Sequence, residues 1–314
     1  MMHFAHLLYR IVISHNDLVA KKMLFFLLIF GIIACSKVQD QQIQPESVPE
    51  AIVALVGERV PGAVGVNFTP VIPRKIWMAN AYHASTMHRF FVSRTQILEH
   101  YRGIAYLNNE GIQQIIQEAS IGEYGFLTTP WVSEINKPGE IKYQSDFALD
   151  GERHLFTCHE RKGSPGEFEI HLYPRVYNQF ETTNYADLPD PIQDLLPARN
   201  FVKAIMTEEG NRVYFHLELK NGVIEIDDDL RLFYSNVDGS AQTISELDLP
   251  QRARDWLAEH PISEKLPLSS YEKYTFRGTE GYRVVFSNSV EKKYLHFDNL
   301  GKNLYHYYSL KTVL

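Results

Sequence analysis

The 314-residue chain carries 31 Lys and Arg against 38 Asp and Glu, with 45% hydrophobic and 12% aromatic residues. These are globular proportions that lean towards sheet, in a chain long enough for more than one ordinary domain and a substantial core. A net charge of −7 leaves no basic stripe for nucleic acid, and two cysteines, Cys35 and Cys158, argue against a disulfide framework.

At the N-terminus Lys21 and Lys22 precede the apolar run Met23 to Ala34. It is too short for an ordinary membrane span and suits the apolar region of a secretory signal. Its end, Ile32, Ile33 and Ala34 before Cys35, resembles the bacterial lipobox. The resemblance implies a signal peptide over 1–34 and a diacylglyceryl thioether on Cys35. That would make the membrane a partner through the lipid; an uncleaved anchor is the alternative. Ser36 resembles an outer-membrane sorting signal, and a start at Val19 or Met23 would give a more conventional leader. Without Arg10, Lys21, Lys22 and Asp17, 28 basic and 37 acidic residues remain. Residues 35–46 are polar and aperiodic, which predicts a flexible tether.

Three segments share one helix-start pattern: Ser47-Val48-Pro49-Glu50, Asp187-Leu188-Pro189-Asp190 and Asp248-Leu249-Pro250-Gln251. The pattern predicts a capping residue with proline in the first turn. Apolar positions then recur at i, i+4, i+7 and i+8: Val48, Ile52, Leu55, Val56; Leu188, Ile192, Leu195, Leu196; Leu249, Ala253, Trp256, Leu257. Each set makes one helical face. Asn108 with Ile112, Ile115 and Ile116 is a weaker fourth candidate.

The segment after each helix alternates like strand. FVKAIM, RVYFHLEL and VIEI are separated by EEGN and by an Asn221-Gly222 turn; LSSYEKYTF, YRVVF, KKYLHF and NLYHYY form a meander. The fold class expected is α+β, in tandem modules that each pack a short helix on a three- to four-stranded antiparallel sheet. The modules would span 47–106, 107–180, 181–246 and 247–314.

Leu249 and Pro250, the strand Tyr282 to Phe286, and Phe297, Asp298 and Gly301 make the last unit resemble the PepSY-like, beta-lactamase-inhibitor-like family of bacterial envelope proteins. Leu188, Pro189, Tyr214 and Asp229 in the third unit, and Val48, Pro49, Pro61, Gly62 and Ala63 in the first, extend the similarity. The resemblance implies helix-on-sheet modules and a binding role, with inhibition of a peptidase or other envelope enzyme proposed for relatives, and it carries over no catalytic residue.

Candidates for chemistry are sparse. His154, Cys158 and His159 are the densest ligand-like group, but alternation puts 154 and 158 on one strand face and 159 on the other. His83 and His88 have no zincin spacing and read as surface residues. Asp227, Asp228 and Asp229 lack the spacing of a calcium loop and read as a solvated turn. Cys158 reads as a small buried hydrophobe. Asp298 is expected to fold back on its turn amides, with Gly301 at positive φ. Tyr271, Tyr274, Phe276 and Tyr282, with Tyr305, Tyr307 and Tyr308, offer contact area on the face opposite the helix.

The expectation is a non-enzymatic, lipid-anchored envelope protein that binds a protein or glycan partner through sheet faces, with no cofactor, no metal and no catalytic residue. A metal- or carboxylate-dependent hydrolase of envelope peptides or glycans is the alternative.

Overall fold

The computed structural model describes residues 47 to 313, apart from 108, 122–125, 136–139, 150–151, 162–166, 175–177, 211 and 263–264. The signal peptide expected over 1–34, the lipidation expected at Cys35 and the tether expected over 35–46 lie outside the described residues. Val48–Leu314 is one compact unit. Among the described residues no helix is long and apolar enough to cross a membrane.

The first helix, α1 (Glu50–Arg59), precedes β1 (Val64–Ile72), β2 (Ile76–His83), β3 (Thr86–Ser93) and β4 (Ile97–Gly103). After α2 (Glu110–Glu118) come β5 (Phe126–Ser133), β6 (Glu140–Leu149), β7 (Glu152–Arg161), β8 (Glu167–Pro174) and β9 (Asn178–Thr182). Then α3 (Asp190–Leu195) leads to β10 (Phe201–Glu209), β11 (Arg212–Leu219), β12 (Gly222–Asp227), β13 (Leu232–Ser235) and β14 (Gln242–Ile244). Finally α4 (Gln251–Glu259) precedes β15 (Leu268–Phe276), β16 (Thr279–Ser287), β17 (Glu291–Asp298) and β18 (Asn303–Val313).

These strands do not form separate small sheets. One antiparallel sheet of 13 strands runs β1 through β8, then β18, β17, β16, β15 and β14, and a second sheet of five runs β13-β12-β11-β10-β9. The α+β class with a three- to four-stranded sheet per module is therefore corrected to a mostly β architecture. Two pairings overturn the expectation. β4 pairs with β5 across the boundary expected at 106/107, and β18 inserts between β17 and β8 with Leu310 opposite Ile170. A strand edge left unpaired at the end of a module is an open template, and here the neighbouring segment fills it.

The three longer helices lie on one face of the long sheet. α1 buries Ile52 and Val56 against Trp77, Ala79, Phe90 and Val92. α2 buries Ile112, Ile115 and Ile116 against Phe147, Phe156, Cys158, Ile170 and Leu310. α4 rests Leu249 and Ala253 on Val284, Leu295 and Phe297. The apolar spacing read from the sequence is thus the packed face, but its caps are not. The residues ahead of α1, α3 and α4 are Pro49, Pro189 and Pro250, none with a side-chain cap bond. Asp187 instead accepts hydrogen bonds from Thr182 Oγ1 at 2.7 Å and Asn184 Nδ2 at 3.2 Å, and Asp248 closes a capping box with Ser245 around a 3-10 turn. Of these four helices only α2 has a conventional cap, from Asn109 to the Ile112 N–H.

On its opposite face the long sheet meets the small one. Alternation gives β10, β11 and β12 an apolar face of Ala204, Met206, Phe215, Leu217, Ile224 and Ile226, which packs with Leu188, Ile192 and Leu196 and with Ile72, Ile76 and Phe91. Phe91 and Phe180 of β9 stack at 4.5 Å between centroids. The hairpin β17–β18 turns as its sequence predicts. Asp298 Oδ1 accepts from the N–H groups of Leu300 and Lys302 at 2.9 and 2.8 Å, and Gly301 has φ +77°. A Cβ on Gly301 would stand 2.7 Å from the backbone nitrogen of Ala253, so glycine also lets α4 approach.

Candidate functional site

The other face of the five-stranded sheet is polar, and it faces the long sheet across a cleft of about 420 Å³. Period-two alternation builds both walls. From the small sheet come Gln179 and Glu181 of β9, Lys203, Ile205 and Thr207 of β10, Tyr214, His216 and Glu218 of β11, and Glu225 of β12. The facing wall is Glu140 and Lys142 of β6, His159 of β7, Glu167, Glu169, His171 and Tyr173 of β8, and Tyr305, Tyr307 and Lys311 of β18. A volume of this size falls in the range of small-ligand pockets, about 300–1,000 Å³.

The charges in the cleft are organised as pairs. Lys142 Nζ donates to Glu99 Oε1 at 2.5 Å, with both side chains nearly buried. Burial opposes the Lys142 ammonium, yet the Glu99 carboxylate outweighs it and holds the amine above its ordinary pKa. Lys203 lies 2.9 Å from Glu218 and 3.8 Å from Glu181. His216 Nδ1 is 3.0 Å from Glu225 Oε1. Burial works against the Glu225 carboxylate, but His216 and His296 bring its pKa down to about 2. Glu169 is likewise held at about 2, chiefly by its hydrogen bond with His171. Neither carboxyl carries a proton at neutral pH, so neither suits a general acid there. His159 is neutral, lowered to about 4 by burial with Lys142 and His171 adding to the effect.

Aromatic rings run between these pairs. Tyr173 stacks on Tyr307 at 5.7 Å, Tyr214 on Tyr305 at 5.0 Å, and Tyr307 on Tyr294 at 4.6 Å. Burial raises the pKa of Tyr173, Tyr305 and Tyr307, so all three hydroxyls stay protonated donors. Behind Glu225, His296 is fully buried; its Nδ1 lies 2.8 Å from the Phe233 carbonyl and its Nε2 3.9 Å from Glu225 Oε2.

The residues singled out in the sequence fall in several distinct places. Tyr305 and Tyr307 reach the cleft, on the face opposite the helices. Tyr308 packs on the helix side, and Tyr274 is core, donating its hydroxyl to the Phe233 carbonyl. His154 and Cys158 share the helix-bearing face while His159 points into the cleft, as alternation requires. Cys158 is buried, and burial pushes its thiol pKa up. His88 is not a surface residue. It is buried with Nδ1 2.9 Å from His100 Nε2, because the β3–β4 ladder sets Phe90 opposite His100 and brings the two rings together. Asp228 and Asp229 are exposed, but Asp227 is fully buried and accepts from the Arg231 N–H at 2.8 Å and Nε at 2.7 Å, so this triplet is a braced turn. Sequence reasoning missed the small-sheet wall: Lys203, His216, Glu218 and Glu225 carry the ordinary alternation of a solvated face. The cross-strand match of His216 with Glu225 and of Lys203 with Glu218 was the available signal.

Neither a scan against protein-family models nor a search of curated proteins returned a match.

Proposed function

We propose that this chain is a binding protein of the cell envelope, lipid-anchored at Cys35, that admits a glycan segment of a macromolecular partner into the cleft between its two sheets. The observation that carries this reading is the pairing of tyrosine ring faces, Tyr173 with Tyr307 and Tyr214 with Tyr305, beside carboxylate, imidazole and amide groups in one recess. A sugar ring has an apolar C–H face and a rim of hydroxyls. Tyrosine faces match the first, and the Glu169, Gln179, His216 and Glu225 side chains match the second. A flat protein partner would need about 800 Å² of contact per side, and a narrow cleft suits a thin chain better.

Calorimetric titration with soluble envelope oligosaccharides is expected to show saturable binding that Tyr173→Ala and Tyr307→Ala each weaken at least tenfold. Binding of peptides in place of every oligosaccharide tested would overturn the ligand class. Cys35→Ser is expected to move the protein from the membrane to the soluble fraction, and continued membrane recovery would overturn the anchor.

A second reading has one observation in its favour. The His216–Glu225 contact resembles the carboxylate-oriented imidazole of a general base, which would fit a hydrolase of envelope peptides or glycans. Release of reducing ends or free amines by the purified protein, abolished in Glu225→Gln, would decide for it.

A further inference from the structure

Outside the cleft, on the helix-bearing face, the long sheet gathers three metal-ligand side chains from two distant parts of the sequence. Glu152 and His154 stand two residues apart on β7 and so share a face. β8 is the next strand, with Pro174 opposite His154, and β18 lies beyond it, with Tyr308 opposite Leu172. That register brings His306 into the same row. One ligand atom from each of Glu152, His154 and His306 lies within 4.8 Å of the other two.

We propose that Glu152, His154 and His306 bind a divalent transition-metal ion of the zinc class. Two imidazoles and one carboxylate are a borderline donor set that suits zinc, whereas calcium and magnesium require oxygen ligands. Ligands of a tetrahedral ion at about 2.1 Å stand roughly 3.4 Å apart, so contraction by up to about 1.4 Å closes the set, within reach of side-chain rotation. His154 is buried, Glu152 exposed and His306 half-buried, which leaves the ion's remaining position towards solvent. The Nδ1 of His154 lies 3.4 Å from the Glu152 carbonyl oxygen, the kind of second contact that metal-binding imidazoles ordinarily make.

The cleft lies on the other face of the same strands. His306 lines a small polar cavity of about 150 Å³ that shares Tyr214 and Tyr305 with it. An ion spanning β7 and β18 across β8 would fix the three strands that carry His159, Tyr173, Tyr305 and Tyr307 on their other face.

The test is titration of the chelator-stripped full chain with zinc chloride by calorimetry, with calcium chloride as control. One zinc ion per chain is expected, with no heat from calcium, and roughly a 100-fold loss of affinity in His306→Ala and tenfold in Glu152→Gln. Neither residue is core, so both variants should keep the wild-type circular dichroism spectrum, which separates ligand loss from unfolding. Absence of zinc uptake by the wild type, or wild-type affinity in both folded variants, would overturn the site.

Discussion

The five-stranded sheet shows what two faces of the same strands can be. On β10 and β11, Ala204, Met206, Phe215 and Leu217 point one way into a continuous apolar core, while Lys203, Thr207, Tyr214, His216 and Glu218 point the other way into the cleft. The apolar positions are buried, whereas Lys203, His216 and Glu218 on the polar side stay half-buried. The two sides also meet their neighbours differently: the apolar face interlocks with α3 and β3, whereas the polar face stands off β8 and β18 and pairs its charges within itself, Lys203 with Glu218 and Glu181 and His216 with Glu225. A sheet face covered but not filled is where a fold can hold a ligand without giving up its core.

The sharpest way to break this contrast is to truncate one ring on the filled side. Phe180→Ala should cost about 3–5 kcal/mol in denaturant unfolding, because the stack with Phe91 leaves no room to collapse around the cavity. Next in size is the pair at the edge of the open side. Glu99→Ala leaves the Lys142 ammonium buried beside Tyr101 and should cost about 3 kcal/mol, whereas an apolar replacement of both residues should recover most of it.

Acid should act on the polar side and also on His100 of the helix-bearing face, whose pKa burial lowers to about 4. The folded pKa of His159 is about 4 against 6.5 for the free side chain, so between those values the unfolded chain binds more protons. Stability must therefore fall as pH drops from about 6.5 to about 4, and His159→Gln should flatten that slope. Glu169 and Glu225, both held at about 2 against 4.5, add a further loss as pH falls from about 4.5 to about 2. Thermal melts across this range would check both windows; an unchanged melting temperature from pH 7 to pH 4 would contradict the first. The smallest effect is expected from Lys203→Met, which should shift stability by no more than about 1 kcal/mol, since its ion pairs with Glu218 and Glu181 are partly solvated.

Much of the local structure was legible. Val213, Phe215, Leu217 and Leu219 alternate as a half-buried strand must, and Ile112, Ile115 and Ile116 mark a helix face without any proline. Partnership between strands far apart in sequence was not. Nothing local in NLYHYYSLKTV says that it pairs with FEIHLYP as well as with its own hairpin partner, because every antiparallel edge offers the same backbone groups. The same gap hid both sites. Tyr305 and Tyr307 were recognisable as facing away from the helix, but their opposite wall comes from another sheet. His154 could be weighed against Cys158 and His159 but not against His306, whose place beside it depends on that long-range register.

The insertion of β18 has a consequence for how the chain reaches this state. Until Asn303–Val313 has been made, β8 and β17 each present an unpaired edge, and among the described residues no strand pairing joins β1–β8 to β14–β17. Assembly of the long sheet therefore waits on β18, which acts as a latch closing a seam between early and late segments. A chain interrupted before Asn303 would carry two adhesive borders, and aggregation of such a truncation would follow from topology alone.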